Sequence, residues 1–158
     1  RLFIALVETG ERTEAVGAHF DCISICLSMG LGAPVGSLLI GPRDFIAEAR
    51  RFRKVMGGGL RQAGILAAAG SYALQHHIDR LRVDNDRART VGKLLAELPY
   101  VATVRPVRSN IVIFDLVAPH TATSFGPQTV RLVFHLDISE AMQQKVMEIL
   151  ENMELETA

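Results

Sequence analysis

Lys54 and Arg61 stand on either side of three consecutive glycines at 57–59. Fixed cations give an anion charge-assisted hydrogen bonds, and glycines let backbone approach it with no Cβ in the way. The segment therefore makes a sensible phosphate site. The neighbouring Arg43, Arg50, Arg51 and Arg53 follow a helical pattern and read as a solvated face. Arg131 opens the stretch Arg-Leu-Val-Phe-His-Leu-Asp, and its guanidinium fork matches a carboxylate. By residue type alone a surface strand arginine is the plainer reading. Residues 22–37 read Cys-Ile-Ser-Ile-Cys-Leu-Ser-Met-Gly-Leu-Gly-Ala-Pro-Val-Gly-Ser. Their order of strand, glycine-rich turn and strand brings backbone close to a ligand, or else makes an ordinary tight connection. Other candidates read as structural. Cys22 and Cys26 are small core residues, and Asp115 and Asp137 lie at strand ends. His76 and His77 have no acidic or cysteine partner at metal spacing. His19, His120 and His135 are scattered.

These residues need a frame to hold them. With 158 residues, 49% of them hydrophobic, the chain can bury a core as one domain or two small ones. Seventeen basic and seventeen acidic residues cancel, which removes the electrostatic reason to expect nucleic acid or an anionic membrane as partner. No apolar run approaches the ~18 residues that cross a bilayer. Two cysteines four apart on one strand cannot bridge each other, so a reducing, cytoplasmic setting is expected.

The hydrophobic spacing predicts helices over 1–9, 43–56 and 60–74, the last mostly buried and closely packed at Gly64 and Gly70. A further helix over 76–98 shows Ile78, Leu81, Val83, Ala88, Val91 and Leu95 on one side and is stopped by Pro99. Strands are expected over 21–28, 37–40, 101–105, 110–116 and 129–135, the fourth central because it is almost wholly apolar. A final helix begins at Ser139 as N-cap and turns Ile138, Met142, Val146, Ile149 and Leu150 inward. A domain change falls near 74–80.

Residues 22–37, the Gly-Gly-Gly-Leu-Arg-Gln-Ala-Gly of 57–64, Asn-Ile-Val-Ile-Phe-Asp at 110–115 and the stretch 131–137 together resemble the threonine aldolases. These enzymes use pyridoxal 5′-phosphate to cleave β-hydroxy-α-amino acids, such as threonine, to glycine and an aldehyde. The resemblance implies an α/β fold of the aspartate-aminotransferase type (fold type I). Residues 1–76 would be the C-terminal part of its large cofactor-binding domain, and 77–158 its small domain. It further implies that Lys54 and Arg61 reach the cofactor phosphate of a neighbouring subunit, in a homo-oligomer with shared sites. Arg1 and Arg131 would hold the carboxylate of a small amino-acid substrate. Met29 stands where the family has the lysine that forms an imine with the cofactor, and a thioether has no nitrogen to do so.

On the same comparison the phosphate-binding loop, the stacking histidine and the aspartate for the pyridine nitrogen would precede Arg1. Covalent cofactor binding is therefore not expected, and the chain is expected to be inactive as it stands. The alternative is a non-catalytic degenerate fragment or paralogue acting only through oligomer contacts. The link between the strands at 110–116 and 129–135 contains Pro119, Gly126 and Pro127 and cannot supply the helix of a parallel crossover through two prolines. Either these strands pair differently or, as is expected, there is an internal deletion near 117–128.

Overall fold

The computed structural model describes residues 2–118, 126 and 128–153. The chain divides into two compact units, Arg1–Arg80 and Leu81–Ala158. No helix among the described residues is long and apolar enough to cross a membrane.

In the first unit, α1 (Leu2–Thr9) ends at Gly10, whose φ of +74 suits a residue without a Cβ. A short α2 (Thr13–Gly17) follows, which the hydrophobic spacing did not announce. Strands β1 (Ile23–Cys26) and β2 (Ser37–Ile40) pair antiparallel, with Ile23 opposite Ile40 and Cys26 opposite Ser37. β1 is shorter than the predicted 21–28, because its partner has only four residues to offer. Leading on from β2, α3 (Arg43–Val55) forms as its amphipathic pattern requires, but no residue of it is buried.

The buried helix predicted over 60–74 is corrected in two ways. α4 runs Gly64–His76, and only Gly70 and Ala73 are buried along it, while Ile65 is 83% exposed. An alanine-rich composition fixed the helix but not its burial, since alanine is at home on either side. Of the two glycines expected to mark close packing, only Gly70 does. A Cβ there would lie 3.0 Å from Leu27 Cδ1, whereas Gly64 has nothing within 4 Å. The helix predicted over 76–98 is also corrected. α4 stops at His76, and α5 (Leu81–Glu97) starts afresh.

The second unit places α5 against a three-stranded antiparallel sheet of β3 (Val101–Val104), β4 (Ile111–Leu116) and β5 (Thr129–Val133), in the order β3-β4-β5. β4 is central, as its composition predicts. Val112, Phe114 and Leu116 are buried against Val91 and Leu95 of α5, while Ile111, Ile113 and Asp115 look to the other face. Burying such a side chain fully stabilises by about 1.5–3 kcal/mol. Val83, expected on the inner face of α5, is exposed, and Asp84 and Asn85 are buried instead.

β4 and β5 are antiparallel, with Asp115 opposite Thr129 and Ile111 opposite Val133, so the chain only has to reverse between them. The crossover requirement does not apply to this pair. Most of the segment where a deletion was expected lies outside the described residues.

Ser139 caps α6 (Glu140–Glu151), its Oγ accepting from the Met142 N–H at 3.2 Å. The predicted inward face holds at Ile138 and Leu150 but not between them: Met142, Val146 and Ile149 are exposed, and Gln143 and Met147 turn inward instead. Two contacts set that rotation. The Arg87 guanidinium donates to the Ile138 carbonyl, and the Tyr100 hydroxyl donates to the Leu150 carbonyl at 2.6 Å. Burial raises the Tyr100 pKa above its ordinary value, which keeps that donor protonated.

Candidate active-site turn and cationic loop

The turn between β1 and β2 is held by its own backbone. The Leu27 N–H donates to Gly36 at 3.0 Å, Ala33 to Leu27 at 3.1 Å and Gly32 to Met29 at 3.0 Å. Gly32 and Gly36 adopt φ of +66 and +115, which side-chain-bearing residues rarely accept. Leu27, Leu31 and Ala33 are buried, whereas Met29 is 48% exposed. The turn is thus anchored on both sides of a tip that faces solvent.

Beneath the tip, Cys26 Sγ lies 3.4 Å from Ser28 Oγ. Hydrogen bonds from the Ser28 hydroxyl and backbone, with smaller ones from Met29 and Ser37, hold the Cys26 thiol below its ordinary pKa. Neither Cys22 nor Cys26 forms a disulfide.

The glycines at 57–59 close α3 in a Schellman motif. The Gly58 N–H donates to Arg53 at 2.8 Å and Gly57 to Lys54 at 3.2 Å, with Gly57 at φ +85. The loop then lies along the last turn of α3. A Cβ on Gly59 would sit 2.7 Å from Lys54 Cδ, and one on Gly58 2.8 Å from Arg53 Cγ. The Lys54 stem passes directly under the backbone at Gly59, so a Cβ there would push that side chain aside. Further on, Gln62 takes φ +50, a left-handed conformation costing a non-glycine residue about 1 kcal/mol or more. That strain falls beside Arg61, which is exposed, as is Lys54. A groove of about 410 Å³ along α3 is lined by Phe45, Glu48, Ala49, Phe52, Arg53 and Met56, and takes in none of the candidate residues.

Lys54 and Arg61 therefore belong to one loop and its ends, and Met29 to a separate turn of the same unit. Arg131 lies in the second unit, half-buried on β5 opposite Ile113. It shares the open face of the sheet with Asp115, whose carboxylate accepts from Thr129 at 2.5 Å and from Thr103 at 3.1 Å. Those two hydroxyls, and then the charge of Arg105, hold the Asp115 pKa below its ordinary value. Asp115 thereby ties three strands together. Arg1 lies outside the described residues.

Sequence reasoning missed His77 and Gln62. Nothing local announces the second. The first had a signal, because a histidine is favoured at a helix C-terminus by the macrodipole, and the pair 76–77 could have been read as an end rather than a beginning.

Comparison with known proteins gives one consistent result. The β-eliminating lyase family matches residues 1–119. The low specificity L-threonine aldolase of Escherichia coli (strain K12) is 41% identical over 158 residues, covering 92% of this chain and 46% of that protein. The low-specificity L-threonine aldolase of Eremothecium gossypii is 34% identical over 157 residues, covering 92% of this chain and 41% of the other. The chain thus spans about half the length of the curated relatives it matches.

Among solved structures, a candidate L-allo-threonine aldolase from Listeria monocytogenes EGD-E superposes with a TM-score of 0.78 at 17% identity, over 96% of this chain and 49% of that one. A candidate aromatic amino acid β-eliminating lyase/threonine aldolase from Exiguobacterium sp. 255-15 gives 0.75 at 20% identity, over 96% and 50%. The fold is accordingly that of the aspartate-aminotransferase type, a family of architectures dependent on pyridoxal phosphate. With well over half of its residues matched, the chain belongs to the β-eliminating lyase family.

Proposed function

We propose that this chain derives from a pyridoxal-phosphate-dependent lyase that cleaves β-hydroxy-α-amino acids of the threonine type to glycine and an aldehyde, and that it does not turn over as it stands. One observation carries the reading: Met29, a thioether, occupies the exposed tip of the turn where an amine is needed. The cofactor, when bound, supplies an electron sink for the carbanion left as Cα–Cβ breaks.

The residues present fit that group in part. Lys54, its stem guided by the glycine at 59, and Arg61 suit the phosphate by charge and reach. Arg131 suits the substrate carboxylate by its planar fork. Met29 does not fit covalent attachment, so we derive no step through the cofactor. Residues 1–76 would belong to the large domain and 77–158 to the small one, in a cytoplasmic setting consistent with two unbridged thiols.

The test is direct. Chain mixed with pyridoxal phosphate and reduced with borohydride should yield no modified peptide containing residue 29. The Met29→Lys chain should yield one and still release no glycine from threonine above the free-cofactor rate. A cofactor adduct within 22–37 of the unaltered chain would overturn the reading.

A second reading has its own observation. Phe52, Val55, Met56, Leu60 and Ile65 are all exposed on and after α3, and exposed apolar side chains are what contacts between copies would cover. A non-catalytic chain acting through contacts in a homo-oligomer would use that surface. Sedimentation of the purified chain as a single sharp monomer would exclude it.

A further inference from the structure

His77 is the first residue beyond α4, and its ring reaches back to the turn that carries residue 29. Nδ1 lies 2.6 Å from the Leu31 carbonyl oxygen. A carbonyl only accepts, so Nδ1 carries the hydrogen. Tyr72, one and a half turns back on α4, meets the imidazole edge to face, with centroids 5.5 Å apart at 86°, and so limits its rotation.

Leu31 itself is 3% exposed. Its carbonyl therefore leaves water for a single fixed partner. Seven residues earlier on the same helix, the bare backbone of Gly70 lets Leu27 come within 3.0 Å of where a Cβ would be. Seven residues are about two helical turns, or ~10 Å. α4 thus grips the chain at 27 and at 31, two residues before and two residues after position 29.

We propose that His77 is a positioning residue: with Gly70 it brackets the turn and sets the direction in which the side chain at 29 leaves the backbone. The role rests on reading position 29 as the cofactor-anchoring position. The sequence carries no motif for it, since the two grips come from one helix and act on main-chain and aliphatic atoms.

Asparagine and aspartate give a clean pair of variants. The Asn Nδ2 can take the place of His Nδ1 and donate to the carbonyl, while Asp presents only acceptors there. In the full chain without cofactor, His77→Ala and His77→Asp should speed amide exchange at Gly32 and Ala33 about ten-fold, the effect of leaving one buried carbonyl without its donor. His77→Asn should restore it, and amides in the unit Leu81–Ala158 should not change. In the Met29→Lys background, the fraction of chain trapped with pyridoxal phosphate at residue 29 should follow the same order, Asn above Ala and Asp.

Equal exchange in the Asn and Asp variants overturns the proposal, and that comparison decides the matter even if the alanine variant fails to fold. Exchange in the expected order with trapping that ignores it also overturns the positioning role. Absence of trapping in every Met29→Lys chain counts instead against position 29 as the anchor, and the exchange order still judges the bracket.

Discussion

Gly92→Ala should destabilise the second unit, although alanine is the better helix former. Gly92 lies inside α5 on its buried face. An alanine Cβ would stand 2.7 Å from Val107 Cγ2, 3.6 Å from Val107 Cβ and 3.8 Å from Val112 Cγ1. Aliphatic carbons pack best at roughly 3.5–4.0 Å, so about 1 Å must be found. Val107 is stiff at χ1 and cannot simply fold its methyl away. Overpacking of this kind costs about 1–3 kcal/mol, and replacing glycine in a helix interior returns about 1. A net loss of about 1 kcal/mol follows.

Urea unfolding followed by far-UV circular dichroism reads it as a lower midpoint at unchanged slope. Two controls sharpen the argument. Gly64→Ala on α4, where nothing lies within 4 Å, should be neutral or stabilising by up to about 1 kcal/mol. Val107→Ala should cost far less in the Gly92→Ala background than alone, a coupling of about 1–2 kcal/mol. A Gly92→Ala chain as stable as its parent, or a double variant whose losses simply add, would refute the reasoning.

Ser139→Ala removes the hydroxyl that accepts from Met142 and should cost about 1 kcal/mol, read as a shifted urea midpoint; Ser139→Asp should keep most of it. Asp115 has its pKa lowered in the folded chain by Thr129 and Thr103, so its contribution is present above the ordinary carboxyl pKa and fades as pH falls through the lowered one. Asp115→Asn should therefore lose stability at neutral pH and show a flatter decline into acid, and an acid limb unchanged from the parent would exclude the linkage. The reaction of the Cys26 thiol, held low chiefly by Ser28, with a thiol reagent should rise to its plateau at a lower pH than for an ordinary cysteine. Ser28→Ala should move that profile upward, and a profile unmoved by the change would show that the serine does not stabilise the thiolate.

Much of the second unit could be read from the chain. α5, the apolar β4 and the Ser139 cap each follow from one local rule, because a 3.6 or a 2.0 period records which side faces the core. The errors came where a neighbour from elsewhere in the chain decides. α6 carries apolar residues all round, and the bonds from Arg87 and Tyr100 choose which of them turn inward. α4 is apolar enough to be buried, yet only Gly70 and Ala73 are.

The candidate site divides in the same way. The cations and the glycines at 57–59 could be picked out by residue type alone, as a pattern suited to a phosphate. The strain at Gln62 and the bond from His77 to Leu31 were not, because each is a matter of backbone path.

The exposed tip at residue 29 means that folding is blind to which side chain stands there. Leu27, Leu31 and Ala33 carry the packing of the turn, and the side chain between them contributes little to it. A lysine and a methionine there would give chains of nearly the same stability, indistinguishable to a protease or a chaperone that samples unfolded states. Cellular quality control, which removes chains with damaged cores, has no purchase on an exchange between such side chains. The side chain at position 29 can therefore be exchanged while the scaffold persists unchanged.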